Sequence, residues 1–484
     1  MMPIIKTQKI LLRLKKAQIE ANNGDFLKSI SLCKKILDKD KNNTNTLKLL
    51  ITNFIQLNRF SEAEIALIKV LKLVPESESY SLIHLLGCNN ISRHNYNAAL
   101  LVLEDLFNKT GDSKVLLDIA LSYFHLGNYE AARDVYLKLI ELEPNNHQAK
   151  FNLYPILLHF KDYKNAWVCF HSRLERQEIK DQVHWFAPQW SGESLVGKNI
   201  LIYPEQGIGD NLHYTACFAE AIADAKQSHI VCDNRLKALY QHNFPSAVIH
   251  SYDDVNQAQA IDAELDLQIL VGSLPYLYRD TAASFANQKS LTIAQKVIDE
   301  TGYQLSNKKL RIGISWFHGR INDGNAHSMS LEMLLPMLKI PGIEWVNLQF
   351  GEWHKEVKNM EEKHNIPITH LESCTAAGDF NQYGSLIANL DLVISASNAA
   401  LMLASRLGVK TWMFLPGKSR GMKINRNQDS LAIKNQRVFY KELAKTWEKV
   451  VLDFCSELEA MPELSAQSEL SEQRELSAER NGHE

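Results

Sequence analysis

The sequence predicts an α + α/β protein: an N-terminal α-solenoid followed by a module of two doubly wound domains. Three observations predict it. An aromatic residue paired with a small one returns about every 34 residues over the first 175 positions. From Asn199 onward, short β-rich runs alternate with helix-length segments, the pattern of a parallel sheet with crossover helices. That alternation restarts near Arg311, and a chain of 484 residues exceeds the size at which a single core keeps growing.

The repeats come first along the chain. The segments GDFLKSISL, NRFSEAEIAL, HNYNAALLVL, GNYEAARDVY and KDYKNAWVCF each place a small residue three positions after an aromatic. The pairs are Phe26/Ser29, Phe60/Ala63, Tyr96/Ala99, Tyr129/Ala132 and Tyr163/Ala166, so the small residues recur at intervals of 34, 36, 33 and 34. A small residue lets two helix backbones approach, and the aromatic fills the wedge between them. Leu126-Gly127 marks a helix–turn–helix corner, and Pro75 and Pro144 stand where a second helix should end. Leu67, Val70, Leu71 and Val74 run at helical spacing. The pattern resembles the tetratricopeptide repeat, about five copies over residues 1–180. The alternative is an unrelated helical bundle, which five matches in register argue against. The resemblance implies a concave groove that binds a peptide or another protein. Such repeats can equally mediate self-association into a homo-oligomer, and no charged or aromatic stripe names the ligand.

Residues 181–198 read as a junction, because WFAPQWSGE has Pro, Gly and aromatics without periodicity. Trp185, Phe186 and Trp190 are expected to pack the array onto the first α/β lobe. That lobe spans 199–300, with strands at NILIY (199–203), HIVCD (229–233) and AVIHSY (247–252). A second lobe spans 301–458, with strands at RIGISW (311–316), WVNLQF (345–350), ITHLE (368–372), LDLVISA (390–396) and KTWMFL (410–415). The polar span 289–309 reads as a mostly helical hinge. From 459 to 484 the ELS triplets and low apolar content predict a disordered tail. In doubly wound sheets ligands bind outside the carboxyl ends of the strands, so the site is sought in the strand-to-helix loops.

Two loops stand out. Glu205, Gln206, Gly207, Gly209 and Asp210 follow the first strand and open a helix, where glycine permits a positive φ and close ligand approach. A tight turn with Asp210 as a helix cap is the plain alternative. Ser397, Asn398 and Ala399 lie between a strand and a helix N-terminus, where free N–H groups suit a diphosphate. Ordinary capping by Ser397 or Asn398 needs no ligand.

EQGIGD after a first strand, GISWFHGR opening the second lobe, and DF…LIANLDLVISAS…LASRLGV together resemble the heptosyltransferase-like glycosyltransferases of family 9. WSGE-x-x-x-GK is similar to the branch in which tetratricopeptide repeats precede the transferase. The resemblance covers about residues 185–440. It implies a GT-B fold of two Rossmann-like domains, a nucleotide-diphosphate-sugar donor as substrate, no metal and no further cofactor. By the same resemblance, Asp210 is the candidate general base toward an acceptor hydroxyl. Trp316, His318 and Arg320 fall where phosphate contacts lie, Gln349, Gly351 and Glu352 face the donor's base and ribose, and Asp379 matches the acidic residue before the ANLDLVIS strand. Ser397, Asn398 and Ala399 fall on the diphosphate turn. The sequence departs from the family's D-T-x-x-x-H-L-A at that turn: Ser397 replaces an acidic residue and Met402 a histidine. His327-Ser328 stands where an Arg-Ser is common. Lys418, Arg420 and Lys423 could supply the missing charge, or form a solvated loop. An inactive adaptor acting through its repeats, and a nucleotide-sugar epimerase, are the competing readings.

Composition excludes several classes. A net charge of −3 gives no basic field for a nucleic-acid backbone. The seven cysteines have no CxxC spacing, and the 17 histidines form no HExxH or other strong ligand pair, so no metal site is expected. No stretch of 18 apolar residues spans a membrane, and the start lacks a signal-peptide core, so the chain reads as cytoplasmic.

Overall fold

The computed structural model describes residues 2–181, 183–258, 264–306, 310–318, 328–416, 435–441, 446–462 and 464. Arg320, His327, Lys418, Arg420, Lys423 and the tail beyond 464 lie outside the described residues. The chain divides into two compact units, residues 1–156 and 157–484.

Ten helices follow one another, two to a repeat: α1 (Met2–Asn22) and α2 (Phe26–Leu37), α3 (Thr44–Gln56) and α4 (Phe60–Leu71), α5 (Glu76–Ser92) and α6 (Tyr96–Thr110), α7 (Leu116–Leu126) and α8 (Tyr129–Leu142), then α9 (His147–His159) and α10 (Tyr163–His171). Each aromatic of the repeat pattern is the first residue of the second helix in its pair. Its partners Ser29, Ala63, Ala99, Ala132 and Ala166 are fully buried, as close backbone approach demands. The turn within each pair puts the residue two before the aromatic in the left-handed region: Gly24 (φ 82°), Asn58 (56°), His94 (59°), Gly127 (80°) and Lys161 (60°). The turn geometry is therefore repeated even where glycine is not. Side chains of Asp25, Asn128 and Asp162 cap the helices beginning at Phe26, Tyr129 and Tyr163. Gly87 answers to packing instead: a Cβ there would collide with the Leu103 side chain on α6. The division between units falls within α9, earlier than residue 180, so α10 belongs to the second unit. There Trp167 Nε1 donates to the Arg279 carbonyl at 2.7 Å, and the Tyr163 ring sits 4.9 Å from Phe285.

The second unit holds two parallel sheets. After the short α11 (Gln177–Lys180), the first is built from β1 (Asn199–Tyr203), β2 (Gln227–Cys232), β3 (Val248–Ser251) and β4 (Leu267–Leu270), in the order β3-β2-β1-β4. Its helices are α12 (Ile208–Tyr214), α13 (Phe218–Asp224), α14 (Lys237–Asn243), α15 (Tyr252–Ala258) and α16 (Leu274–Tyr278); α17 (Gln295–Gly302) comes next. The second sheet has β5 (Leu310–Ser315), β6 (Ile343–Asn347), β7 (Ile368–Thr369), β8 (Leu392–Ser395), β9 (Thr411–Pro416) and β10 (Gln436–Lys441), in the order β10-β9-β8-β5-β6-β7. Its helices are α18 (Leu335–Leu338), α19 (His354–His364), α20 (Phe380–Ala388), α21 (Ala399–Arg406) and α22 (Glu448–Glu459). All registered pairs in both sheets are parallel. The strands expected from sequence are present, with ends shifted by a few residues. β4 and β10 are additions that the sequence pattern does not announce.

The junction aromatics divide. Phe186 packs at 5.8 Å on Tyr203, and the Trp190 backbone N–H donates to the Gln268 carbonyl at 2.7 Å, so both anchor the segment to the first sheet. Trp185 is 41% exposed.

Candidate functional site at two strand-order reversals

Each sheet has one place where strand order reverses, and crevices open there at the carboxyl ends. In the first sheet it lies between β1 and β4. In the second it lies between β5 and β8.

The first reversal is filled by the protein itself. Glu205, just after β1, takes two bonds from Arg173: Nε to Oε2 at 3.0 Å and Nη2 to Oε1 at 2.5 Å. The Gly272 N–H after β4 donates to Glu205 Oε1 at 2.8 Å, and Arg173 Nη2 also donates to Ser273 Oγ at 2.9 Å. The side chains of Arg173 and Glu205 are only 2% and 3% exposed. A Cβ on Gly272 would strike the Glu205 carboxylate, so only glycine fits there. The sequence pattern sets Glu205 among the ligand-facing groups of the loop. It is instead half of a buried ion pair, whose partner lies 32 residues upstream, beyond the reach of any local motif. The glycine conformations also differ from expectation. Gln206 carries the positive φ, 63°, whereas Gly207 has φ −88° and precedes α12 as its cap.

The second reversal is lined by neutral polar groups. Asn398 caps α21, its Oδ1 accepting from Leu401 N at 3.3 Å and from Ser395 Oγ at 3.0 Å. Its Nδ2 donates to Ser315 Oγ at 2.7 Å. Ser315 Oγ in turn donates to Gln349 Oε1 at 3.1 Å, and that oxygen also accepts the Phe317 N–H at 2.8 Å. Gln349 Nε2 donates to the Phe350 carbonyl at 2.8 Å. Gln349 is thus a buried brace tying the ends of β5 and β6, not the open donor-facing side chain expected. Ser397 and Ala399 are half-buried beside this network.

The inner turns of the two lobes meet. A Cβ placed on Gly209 would lie 3.7 Å from both Cα and N of Ala399 and 3.7 Å from Met402 Cγ. Asp210, the next residue, is half-buried in the first turn of α12. Around this contact, Arg235 Nη1 reaches the Ala376 carbonyl at 3.0 Å, and Arg406 Nε reaches Thr215 Oγ1 at 3.1 Å. Burial pulls the Arg406 guanidinium down to about 10.

The remaining expected residues scatter. Trp316 is buried in the second sheet's core on the same face as Ile312 and Ile314, with Nε1 bonded to Glu356 at 3.3 Å. It does not face phosphate, and the period-two alternation of β5 carries that information. The His318 N–H bonds to Ser328 Oγ at 3.0 Å. Gly351 has φ 89° and Glu352 is exposed, both just beyond β6. Asp379 is exposed and caps α20 through Asn381 N at 2.8 Å. His213 packs edge-on against Tyr214.

Three features escape the sequence pattern. Phe350 presents an aromatic face that is 57% exposed between Gln349 and Gly351, which its place in an apparent strand conceals. A cavity of about 180 Å³ lined by Val168, His171, Trp190 and Tyr276 lies at the junction, away from the inner turns. In the first unit, His84, Cys88 and Asp118 bring ligand atoms within 4.8 Å of one another; the H-x-x-x-C spacing on one helix is the available signal.

Residues 113–146, covering α7 and α8, match the family model described as the tetratricopeptide repeat. The chain carries tetratricopeptide repeats. It is 25% identical over 283 residues to protein FlbA of Caulobacter vibrioides, covering 54% of this chain and 47% of that protein. The chain therefore spans about half the length of the curated relative it matches. MamA from Desulfovibrio magneticus RS-1 aligns at 21% identity over 36% of this chain and 98% of its own, with a TM-score of 0.33. YrrB, described as a tetratricopeptide protein with an unusual peptide-binding site, aligns at 14% identity over 34% of this chain and 85% of its own, with a TM-score of 0.30. Scores this low bear no weight on this chain. Among the described residues no helix is long and apolar enough to cross a membrane.

Proposed function

We propose that the second unit is a GT-B glycosyltransferase module that moves a sugar from a nucleotide-diphosphate donor to an acceptor hydroxyl, and that the repeats recruit a protein acceptor or partner. The observation that carries this reading is the approach of Gly209 to Ala399, which sets the Asp210 loop against the turn at Ser397–Ala399. A donor bound at the second reversal would have its diphosphate at the amides opening α21. Its base would stack on Phe350, and its sugar would face Asp210. Phe350 and Gly351 supply the aromatic face and the close backbone that a nucleoside uses. Asp210 would act by orienting and deprotonating the acceptor. The test is turnover of a panel of nucleotide sugars, with transfer or hydrolysis followed by release of nucleoside diphosphate. The reading expects turnover of one donor and its loss, with folding intact, in Asp210→Asn. No turnover of any donor would speak against it.

A second reading, an adaptor without catalysis, draws on a different observation. Glu205, Gln349 and Trp316 are engaged in internal structure, and Met402 stands buried where the resembled family has a histidine. In that case Asp210→Asn leaves the biological function intact, and partner capture depends on the repeats alone.

A further inference from the structure

We propose that His84, Cys88 and Asp118 form a zinc-class metal site that ties together two neighbouring helical pairs of the repeat array. His84 and Cys88 are four residues apart on α5, the spacing that puts two side chains on one helix face. Asp118 enters from the first turn of α7, in the next pair. His84 Nε2 lies 2.7 Å from Asp118 Oδ2, and Cys88 Sγ lies 3.5 Å from the same oxygen. All three ligand atoms fall within 4.8 Å of one another. Tetrahedral zinc with bonds of about 2.0–2.3 Å holds its ligand atoms roughly 3.3–3.8 Å apart. The His84–Asp118 separation of 2.7 Å lies below that range and the Cys88–Asp118 separation of 3.5 Å within it, so His84 and Asp118 would part by roughly 0.6 Å to seat the ion.

The donor set selects the metal. One imidazole nitrogen, one thiol sulfur and one carboxylate oxygen suit zinc and its neighbours and discriminate against calcium and magnesium, which demand oxygen ligands. Two anionic ligands neutralise a divalent charge. The His84 and Asp118 side chains are 30% and 22% exposed, which leaves room for water as a fourth ligand and for the ion to enter. On binding, Cys88 gives up its thiol proton to solvent and His84 coordinates through an Nε2 that carries no proton, so three bonds to the metal replace the present hydrogen bonds. Without metal, the hydrogen bonds of His84 and Cys88 to Asp118 join α5 to α7. With metal, the link becomes coordinate bonding.

The experiment is cobalt titration of the chelator-stripped full chain, read by the near-ultraviolet thiolate-to-cobalt band. One equivalent should develop the band, and zinc should displace the cobalt. Cys88→Ser should abolish the band, whereas Cys169→Ser, at another half-buried thiol, should leave it unchanged. His84→Gln, checked by circular dichroism, should fold and weaken the affinity about tenfold or more. Absence of the band in the unmodified protein overturns the proposal. So does a band that survives Cys88→Ser, or unaltered affinity in His84→Gln.

Discussion

The two strand-order reversals of the second unit occupy equivalent places in their sheets and are treated in opposite ways. At the first, a charged pair, Arg173–Glu205, is sealed beneath Gly272 and Ser273. At the second, Asn398, Ser315 and Gln349 form a neutral chain of hydrogen bonds that ends at half-buried turn residues and an exposed aromatic. The same topology thus yields one closed crevice and one with exposed surface beside it. The difference teaches that a reversal point offers a binding site only where side chains from elsewhere do not already satisfy it. Arg173, arriving from just beyond α10, does so in the first lobe.

The largest effect that breaks this comparison should come from Glu205→Gln. Removing one member of a buried ion pair strands the other charge, which costs about 3–5 kcal/mol. Chemical denaturation of the full chain should show that loss in the α/β transition. Replacing both partners with Met and Leu should recover most of it. Gly272→Ala comes next, since its Cβ must displace the carboxylate; about 1–3 kcal/mol is expected from the resulting overpacking. At the open reversal, Asn398→Ala removes a cap and leaves Ser315 short of a partner. It should cost about 1–2 kcal/mol in the same experiment and also abolish nucleoside diphosphate binding. Phe350→Ala should leave stability within error, because the ring is exposed, while weakening nucleotide affinity by about 1 kcal/mol or more.

The smallest effect concerns pH and sharpens the contrast between sheets. His229 and His250 stack in the first sheet, with Nδ1 and Nε2 3.1 Å apart. Burial lowers both below the ordinary histidine value; His229 is lowered further by His250, and His250 by Lys237 against the opposing Asp254. Because the folded values lie below the unfolded value of about 6.5, their contribution is intact above that pH. It is lost as pH falls through the folded values. Melting temperature should therefore drop below about pH 6.5, and His250→Gln should flatten the slope.

Much of the fold is legible in the sequence, for physical reasons that can be named. The aromatic–small pairs locate the start of every second helix because the burial they demand is periodic and local. β1 is legible with both ends in place because its apolar run is bounded by Lys198 and Asn199 before it and Pro204 after it. β4 is not: its four residues pair with β1, from Ile200–Leu267 to Tyr203–Leu270, and bridge Gln189 at Gln268, partners far off in sequence. The site residues divide in the same way. Gly209 lies against Ala399, next along the chain from Ser397 and Asn398. Glu205 and Gln349 depart from it, because Arg173, Phe317 and Ser315 claim them through contacts no local motif encodes. Trp316 departs from the family resemblance and obeys its own alternation with Ile312 and Ile314.

Calorimetric titration of the full chain with uridine, guanosine, adenosine and cytidine diphosphates tests the central claim most directly. One of them should bind with a stoichiometry of about one and lose its signal in Asn398→Ala while Glu205→Gln, where folded, retains it. Absence of binding by all four to the intact protein, or binding unaffected by Asn398→Ala, would contradict it.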